Sequence, residues 1–239
     1  TRTTAQNISI LQAYGARVEV IAEPDARTGD LLQARINHVN YLRRVIPNSW
    51  WVNQYANIYN AQAHHQTMRE IASAFHNDVD YIFCAVSTYG TLRGCSEYIR
   101  RHSLKTRIIG VDAIGSVIFG GKAGRRMIPG HGASRLPELF QPDLVDQHYH
   151  ISDEETVIAC RRLLRREAIL AGGSSGAVIT AVEKTWDKIP TNATCVAILC
   201  DRGERYLDTI YSDAWVKRHF GDNATQIAGE LTANQVPIS

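Results

Sequence analysis

Two short loops rich in hydroxyl-bearing residues and glycine are the parts of this sequence best suited to chemistry. The first, STYGTLRG (87–94), stands between an apolar run and a helical pattern, and the second, AGGSSGA (171–177), also leads into a helical pattern. A helix N-terminus offers free backbone N–H groups and a dipole that favours negative charge, so both loops are candidate anion sites. Neither matches GxGxxG or GxxxxGK[ST], which argues against a dinucleotide or Walker-type site. Turns that need glycine only for their geometry are the alternative for each loop alone.

The elements around these loops predict an α/β fold. Ser152 and Glu155 form a capping box that begins one helix, and residues 114–151 look irregular because they are rich in glycine and proline. Strands alternating with helices of this length indicate a mostly parallel sheet, whose ligands bind beyond the carboxyl ends of its strands. The predicted strands are 16–23, 50–54, 80–86, 106–113 and 194–200, and the predicted helices are about 8–14, 30–44, 61–75, 92 onward, 152–167, 176–188 and 213–219.

Composition excludes several classes of partner. A formal net charge of +2 gives no reason to expect nucleic acid, and no apolar run reaches the ~18 residues of a membrane span. The five cysteines are scattered without CxxC spacing, which is typical of reduced thiols in a cytoplasmic protein. His64-His65 and His148-Tyr149-His150 lack the partners and spacing of metal ligands, so we predict surface or helix-start histidines and no metal site.

Taken together, the two loops resemble a known family. STYGTLRG is similar to the GTGGTxxG phosphate loop of the cysteine synthase and cystathionine β-synthase group of pyridoxal-phosphate enzymes, and ILAGGSSGA (169–177) is similar to that group's G-x-S-[SA]-G segment. PGHGAS (129–134) and GERYL (203–207) match two further segments in the same order, so the resemblance covers essentially the whole chain.

Longer matches resemble one branch of this family. That branch makes N-(2-amino-2-carboxyethyl)-L-glutamate, the source of 2,3-diaminopropionate in siderophores such as staphyloferrin B. The matching stretches are VNQYAN (52–57), VDAIGSVIFG (111–120), GASRLPE (132–138) and DRGERYLDTIYSDAW (201–215).

The resemblance implies fold type II, the tryptophan synthase β-like fold, with two α/β domains and mostly parallel sheets. Residues 1–54 are then the remainder of a smaller mobile domain, 55–220 a large pyridoxal-phosphate domain and 221–239 a C-terminal tail. The resemblance to this family also implies a homodimer. Because the first residues match the middle of a domain, we expect an N-terminal portion to be missing.

The resemblance also assigns the cofactor site. Residues of the first loop are expected to hold the phosphate of pyridoxal 5′-phosphate through backbone N–H groups and hydroxyls, and Ser174 is expected to face the pyridine nitrogen. A neutral hydroxyl there suits β-elimination because it does not keep that nitrogen protonated. Tyr89 replaces a glycine of the usual loop, and we predict an ordinary backbone there because tyrosine disfavours positive φ. The expected phosphate residues are Ser87, Thr88, Tyr89, Gly90 and Thr91.

The implied reaction is a β-replacement that joins O-phospho-L-serine and L-glutamate and releases phosphate. Arg35, Tyr55 and Ser87 match positions that look specific to this branch and are expected to recognise substrate, since arginine offers a two-pronged donor for a carboxylate. From spacing alone, a solvated helix arginine, a core tyrosine and a turn serine are the alternatives. A cysteine or cystathionine synthase, and an inactive binding protein of the same fold, stay open as alternative functions.

The chemistry of this family needs a lysine that forms a Schiff base with the cofactor. The chain has five lysines, and none stands where the family carries that residue. We therefore expect an incomplete enzyme whose lysine lies outside the sequence. The five are Lys105, Lys122, Lys184, Lys188 and Lys217.

Overall fold

The computed structural model describes residues 5–222 and divides the chain into two compact units, Thr1–Asn53 and Gln54–Ser239. Most of the predicted C-terminal tail, 221–239, lies outside the described residues. In the first unit, helix α1 spans Ala5–Ala13 and helix α2 spans Leu31–Val45. Asp30 begins α2 as predicted, because its carboxylate accepts a hydrogen bond from the Leu32 N–H at 2.9 Å.

Two predicted strands are wrong. Residues 16–23 and 50–54 form no strand in the part of the chain that the structure describes. Val20 and Trp50 are largely exposed, with 48% and 73% of their surface accessible. Alternating and aromatic residues favour a strand only where a neighbouring strand and a buried face are available, and the structure provides neither at these positions.

The second unit contains a sheet with helices on both faces. Its described elements, in chain order, are α3 Ile58–Ala74, β1 Tyr81–Ala85, α4 Gly90–Arg101, β2 Arg107–Ala113, β3 Gln147–Ile151, α5 Asp153–Glu167, α6 Gly173–Thr185, β4 Cys195–Ala197 and α7 Asp213–Phe220. Short 3₁₀ turns lie at 142–144, 186–188 and 203–206.

The sheet has the order β3-β2-β1-β4, and every pair in it is parallel. This confirms the predicted α/β fold with a parallel sheet. Strand β3 corrects the prediction that residues 114–151 are irregular throughout. Its sequence, QHYHI, is mostly polar, and Ile151 is its only buried residue, as is common in an edge strand. An edge strand of this kind carries no apolar run that sequence reasoning could detect.

Alternation along β1 divides the core between the two faces of the sheet. Ile82 and Cys84 lie in one cluster with residues of α3 and α4, whereas Phe83 lies in a second cluster with residues of α6. Helix α5 packs on α6. The result is a three-layer arrangement in which α4 and α6 cover opposite faces of β1.

Helix starts follow the predictions closely in one case and less closely in another. Ser152 and Glu155 form the predicted capping box at the start of α5. Helix α6 begins at Gly173, three residues before the predicted start at 176, so Ser174 lies in its first turn. No helix among the described residues is long and apolar enough to cross a membrane.

A long loop, residues 114–146, is fastened to the carboxyl edge of the sheet. The Gly132 N–H donates to the Val86 carbonyl at 2.8 Å, and the Ala133 N–H donates to Ser116 Oγ at 3.0 Å. His131, which is 1% exposed, donates from Nε2 to the Val111 carbonyl at 3.2 Å. These bonds bring the PGHGAS segment beside the end of β1.

Candidate functional site

The sheet reverses its order between β1 and β4. From β1 the chain moves outward through β2 to β3 and then returns to β4 on the other side of β1. Such a reversal leaves a crevice at the carboxyl ends of the two central strands, which is where open parallel sheets bind ligands. The first loop follows β1 directly into this crevice.

The second loop reaches the same edge by a different route. Helix α6 does not follow a strand of the sheet, since Ala171 makes only an isolated bridge with Arg202. The Gly172 N–H donates to the Asp201 carbonyl at 2.9 Å, which ties the start of α6 to the chain leaving β4. Because β4 is parallel to β1, the structure brings both predicted loops to one edge.

The first loop carries a run of free backbone donors. The Val86 N–H donates to the Val111 carbonyl, and the Arg93 N–H donates to the Tyr89 carbonyl. Between them, the N–H groups of residues 87–92 have no acceptor among the described residues, and no side chain caps α4. Buried N–H groups are nearly always paired, so this run indicates a site for an anion at the helix N-terminus.

The predicted ordinary backbone at Tyr89 is wrong. Its φ is 71°, in the left-handed region, and it occupies the N-cap position of α4. The ring explains why a tyrosine is held there: it is 2% exposed, lies edge-on to Phe119 and Phe140, and donates from its hydroxyl to the Gln141 carbonyl at 3.0 Å. Packing of the side chain thus offsets a conformation that costs about 1–2 kcal/mol.

Helix α3 supports the loop from behind. A Cβ added to Gly90 would lie 2.5 Å from Asn60 Oδ1, so a larger residue where α4 begins against α3 would displace the Asn60 side chain. Asn60 Nδ2 donates to the Gln54 carbonyl at 2.7 Å and lies 3.5 Å from Thr88 Oγ1. His64 Nε2 lies 3.1 Å from Thr91 Oγ1. Desolvation lowers the pKa of His64 below its ordinary value.

The two predicted serines occupy different settings. Ser87 is half-buried, and its hydroxyl donates to the Gly132 carbonyl at 3.2 Å, which links the loop to the PGHGAS segment. Ser174 is 9% exposed and lies near the Cys200 thiol. Desolvation raises the pKa of that thiol, and the neighbouring Ser174 hydroxyl lowers it in part.

The predicted substrate residues are divided between the two units. Arg35 belongs to the first unit, where it lies exposed on α2 and donates from Nε to the Leu31 carbonyl at 3.3 Å. Tyr55 is half-buried in the turn that precedes α3 in the second unit. The roles of both residues therefore stay predictions.

His64 belongs to this site although the sequence gives no signal for it. Asn60 and His64 are four apart on α3 and so share one face of the helix, but nothing in the sequence indicates that this face meets the first loop. His148 and His150 lie in β3, not at a helix start, and His148 stacks on Phe119. Among residues 5–222, no group of three or more His, Cys, Asp or Glu side chains is arranged to hold a metal ion.

Two of the five lysines lie at the amino edge of the sheet, and two others pair with carboxylates. Lys105 and Lys188 lie between a helix end and the start of the next strand, which is the amino edge of the sheet. Lys184 pairs with Glu155 at 2.6 Å, and Lys217 pairs with Asp222 at 2.8 Å. Lys122, in the loop that follows β2, is exposed at the carboxyl edge.

Comparison with known proteins gives one family and a set of similar structures. The family profile described as "Pyridoxal-phosphate dependent enzyme" matches residues 1–201. An O-acetylserine dependent cystathionine beta-synthase from Helicobacter pylori is 28% identical, with a TM-score of 0.78 over 87% of this chain and 67% of that one. A hydrogen sulfide-producing enzyme from Fusobacterium nucleatum is 26% identical, with a TM-score of 0.76 over 84% of this chain and 68% of that one.

Proposed function

The chain belongs to the family of pyridoxal-phosphate dependent enzymes, and from this premise we propose that residues 87–92 hold the phosphate of its cofactor for a β-replacement reaction. The observation that carries the proposal is the run of backbone N–H groups without a protein acceptor at the start of α4, at the reversal point of the sheet. A phosphate dianion satisfies such donors and gains from the helix dipole.

The residues present fit this group. Gly90 keeps the loop free of a side chain where it meets Asn60, and the hydroxyls of Thr88 and Thr91 lie on either side of it in the sequence. Bound pyridoxal phosphate supplies an electron sink for negative charge at the α-carbon of an amino acid. Within the chain, the donors of residues 87–92 anchor the phosphate, and Ser174 offers a neutral hydroxyl at the same edge of the sheet.

We propose O-phospho-L-serine and L-glutamate as the substrates, with N-(2-amino-2-carboxyethyl)-L-glutamate and phosphate as products. The support is the resemblance of the four longer stretches to the diaminopropionate-forming branch, together with Arg35, Tyr55 and Ser87 at its distinctive positions. In this proposal the Arg35 guanidinium binds a substrate carboxylate through paired hydrogen bonds. Siderophore biosynthesis is the role that follows.

A cystathionine β-synthase or cysteine synthase activity is the second candidate. It is favoured by the solved structures that this chain resembles, one of which is named as an O-acetylserine dependent cystathionine beta-synthase. The two candidates differ in the leaving group, phosphate or acetate, and in the nucleophile, an amine or a sulfur compound. A substrate comparison therefore separates them.

We also propose that none of the five lysines forms the Schiff base. Lys184 and Lys217 are held by carboxylates, Lys105 and Lys188 lie at the opposite edge, and Lys122 is an exposed loop residue. Borohydride reduction followed by peptide mapping tests this point, because it fixes the cofactor on the lysine that bound it. We expect no stoichiometric label on residues 1–239, and a stoichiometric label on any of the five lysines would contradict the proposal.

The central experiment measures cofactor binding and substrate choice. Thr91→Ala removes a hydroxyl donor to a charged group, worth roughly 1.5–3 kcal/mol, and should weaken pyridoxal phosphate binding about 10- to 100-fold. Thr191→Ala, at an exposed turn before β4, is the control and should bind as the parent does. Unchanged binding in Thr91→Ala would reject the assignment of the loop.

The measurement of substrate choice compares the 239-residue chain with a longer chain that also carries the family's Schiff-base lysine. Phosphate release from O-phospho-L-serine is measured with L-glutamate as the acceptor, beside acetate release from O-acetyl-L-serine with homocysteine or sulfide. We expect turnover only in the longer chain and only with the first pair. Preference for the second pair would support the synthase alternative, and no turnover with either pair would support an inactive binding protein.

A further inference from the structure

His64 stands between two threonine hydroxyls. Its Nδ1 lies 3.2 Å from Thr67 Oγ1 on its own helix, and its Nε2 lies 3.1 Å from Thr91 Oγ1 at the start of α4. A neutral imidazole has one N–H donor and one acceptor nitrogen, so these two contacts must run in a definite direction. That direction decides where the Thr91 hydroxyl hydrogen points.

The behaviour of helix threonines favours one direction. Helix threonines commonly donate to the carbonyl four residues earlier, as Thr180 does to Gly176 and Thr185 does to Ala181. The structure shows no such bond for Thr67 among the described residues, and the acceptor it offers the Thr67 hydroxyl is His64 Nδ1. With Nδ1 accepting from the Thr67 hydroxyl, Nε2 carries the hydrogen.

We propose that His64 is a positioning residue for the anion site: its Nε2–H donates to Thr91 Oγ1 and leaves the Thr91 hydroxyl hydrogen free to bond a bound phosphate. This inference rests on the proposed function of the loop and adds to it a residue outside the loop. In the opposite arrangement, Thr91 would donate to His64 and could offer a phosphate only its oxygen, which repels an anion.

A protonated His64 strengthens the same arrangement. The imidazolium keeps its Nε2–H on Thr91 and adds a positive charge behind the anion. Desolvation alone lowers the pKa of His64 below 6.5, so it is neutral near pH 7 without ligand. A bound dianion raises that pKa, and by linkage the anion must bind more tightly as the pH falls.

Other titratable groups near His64 come from α3 and α4. Cys95 donates to the His64 carbonyl, and burial raises its pKa to about 12, so it stays neutral. His65 pairs with Glu97 at 3.0 Å, and Glu97 also accepts from Arg93 at 2.7 Å. No charge from this neighbouring trio contributes to the pKa shift of His64.

The test uses sulfate as the probe, because sulfate stays doubly charged throughout the useful range. Sulfate affinity of the 239-residue chain is measured by calorimetry between about pH 5.5 and 8, around the ordinary pKa of histidine. Wild type should bind several-fold more tightly at the lower pH, approaching the tenfold limit that a rise of about one unit in the pKa of His64 sets. Imidazole ¹⁵N shifts should show hydrogen on Nε2 of His64 at the higher pH.

Three variants separate positioning from folding. His64→Gln keeps an N–H near the position of Nε2, so it should match wild type at the higher pH and lose the pH dependence. His64→Leu should bind several-fold more weakly at every pH. His65→Gln, whose wild-type Nε2 faces Glu97 instead, should keep the wild-type profile. Thermal unfolding of each variant shows that it is folded.

The outcomes distinguish this inference from the function on which it rests. If Thr91→Ala leaves sulfate binding unchanged, the loop is not the anion site and both proposals fall. If Thr91→Ala weakens binding while His64→Gln retains the pH dependence, or if the imidazole carries its hydrogen on Nδ1, only the role of His64 is rejected.

Discussion

Tyr89 shows how one side chain can hold a strained backbone at a binding loop. Its left-handed φ of 71° places the loop residues on the turn into α4, and its ring is buried between Phe119 and Phe140. Glycine is the residue that adopts this conformation at no steric cost. At Tyr89, the free energy gained by burying the aromatic ring offsets the steric cost that glycine would avoid.

Two substitutions at this residue test the strain. Tyr89→Ala and Tyr89→Gly both remove the ring and should each destabilise the chain by about 3–5 kcal/mol. Because φ is positive, the glycine variant should be more stable than the alanine variant by about 1 kcal/mol, whereas at a negative φ glycine would be the less stable. Urea unfolding of both variants gives the difference, and its sign decides whether Tyr89 is left-handed in solution.

At the scale of elements, α5 and α6 approach each other closely at a glycine. A Cβ added to Gly176 would lie 2.2 Å from the Thr156 carbonyl oxygen and 2.5 Å from Cys160 Sγ. The backbone carbonyl cannot move away without shifting α5. Gly176 therefore sets the spacing of the helix pair that covers one face of the sheet and begins beside the crevice.

Gly176→Ala should open this helix pair. We expect a loss of about 1–3 kcal/mol of unfolding free energy from overpacking, although alanine itself favours a helix by about 1 kcal/mol. Arg165→Ala, at an exposed position near the end of α5, is the control and should stay within about 0.5 kcal/mol of the parent. Equal stability of Gly176→Ala and the control would show that the helices can separate at little cost.

For the second unit as a whole, the arrangement of layers creates the site. The free donors of residues 87–92, the start of α6 and the PGHGAS segment come from three distant parts of the sequence, and parallel pairing of β4 with β1 brings them to one edge. The long loop reaches that edge through His131, whose buried Nε2–H holds it on β2. The stability of the site is thereby coupled to the protonation state of one histidine.

His131 makes the fold sensitive to acid. Burial lowers its pKa to about 4 from 6.5, so its neutral form stabilises the folded state fully above pH 6.5, and this contribution is lost as the pH falls towards 4. Between pH 7.5 and 4.5 the loss should be about 2–3 kcal/mol. His131→Gln removes the titrating group. Between the same two pH values, the unfolding free energy of this variant should fall less than that of wild type, and the difference should equal the loss given above. Equal pH dependence of the two proteins would contradict the assignment.

Elements with a periodic apolar signal were predictable from the sequence, and an edge strand without such a signal was not. The apolar run before STYGTLRG and the helical spacing after it predicted β1, the loop and α4 correctly, because a buried strand and an amphipathic helix each have a periodic signal. The sequence did not predict strand β3, because an edge strand carries little apolar signal. The strand predicted at 16–23 is absent, because alternation of residues does not reveal whether a partner strand exists. The resemblance to pyridoxal-phosphate enzymes was confirmed.

Residues close together in the chain specify the α/β class, the helix that the Ser152–Glu155 box begins and the family of pyridoxal-phosphate dependent enzymes. Packing of the second unit specifies which face of α3 meets the loop, the left-handed backbone of Tyr89 and the position of both loops at one edge. These depend on contacts between residues far apart in sequence. A local pattern records the preferences of a segment, whereas the partner that satisfies or overrides them is set by how the layers pack.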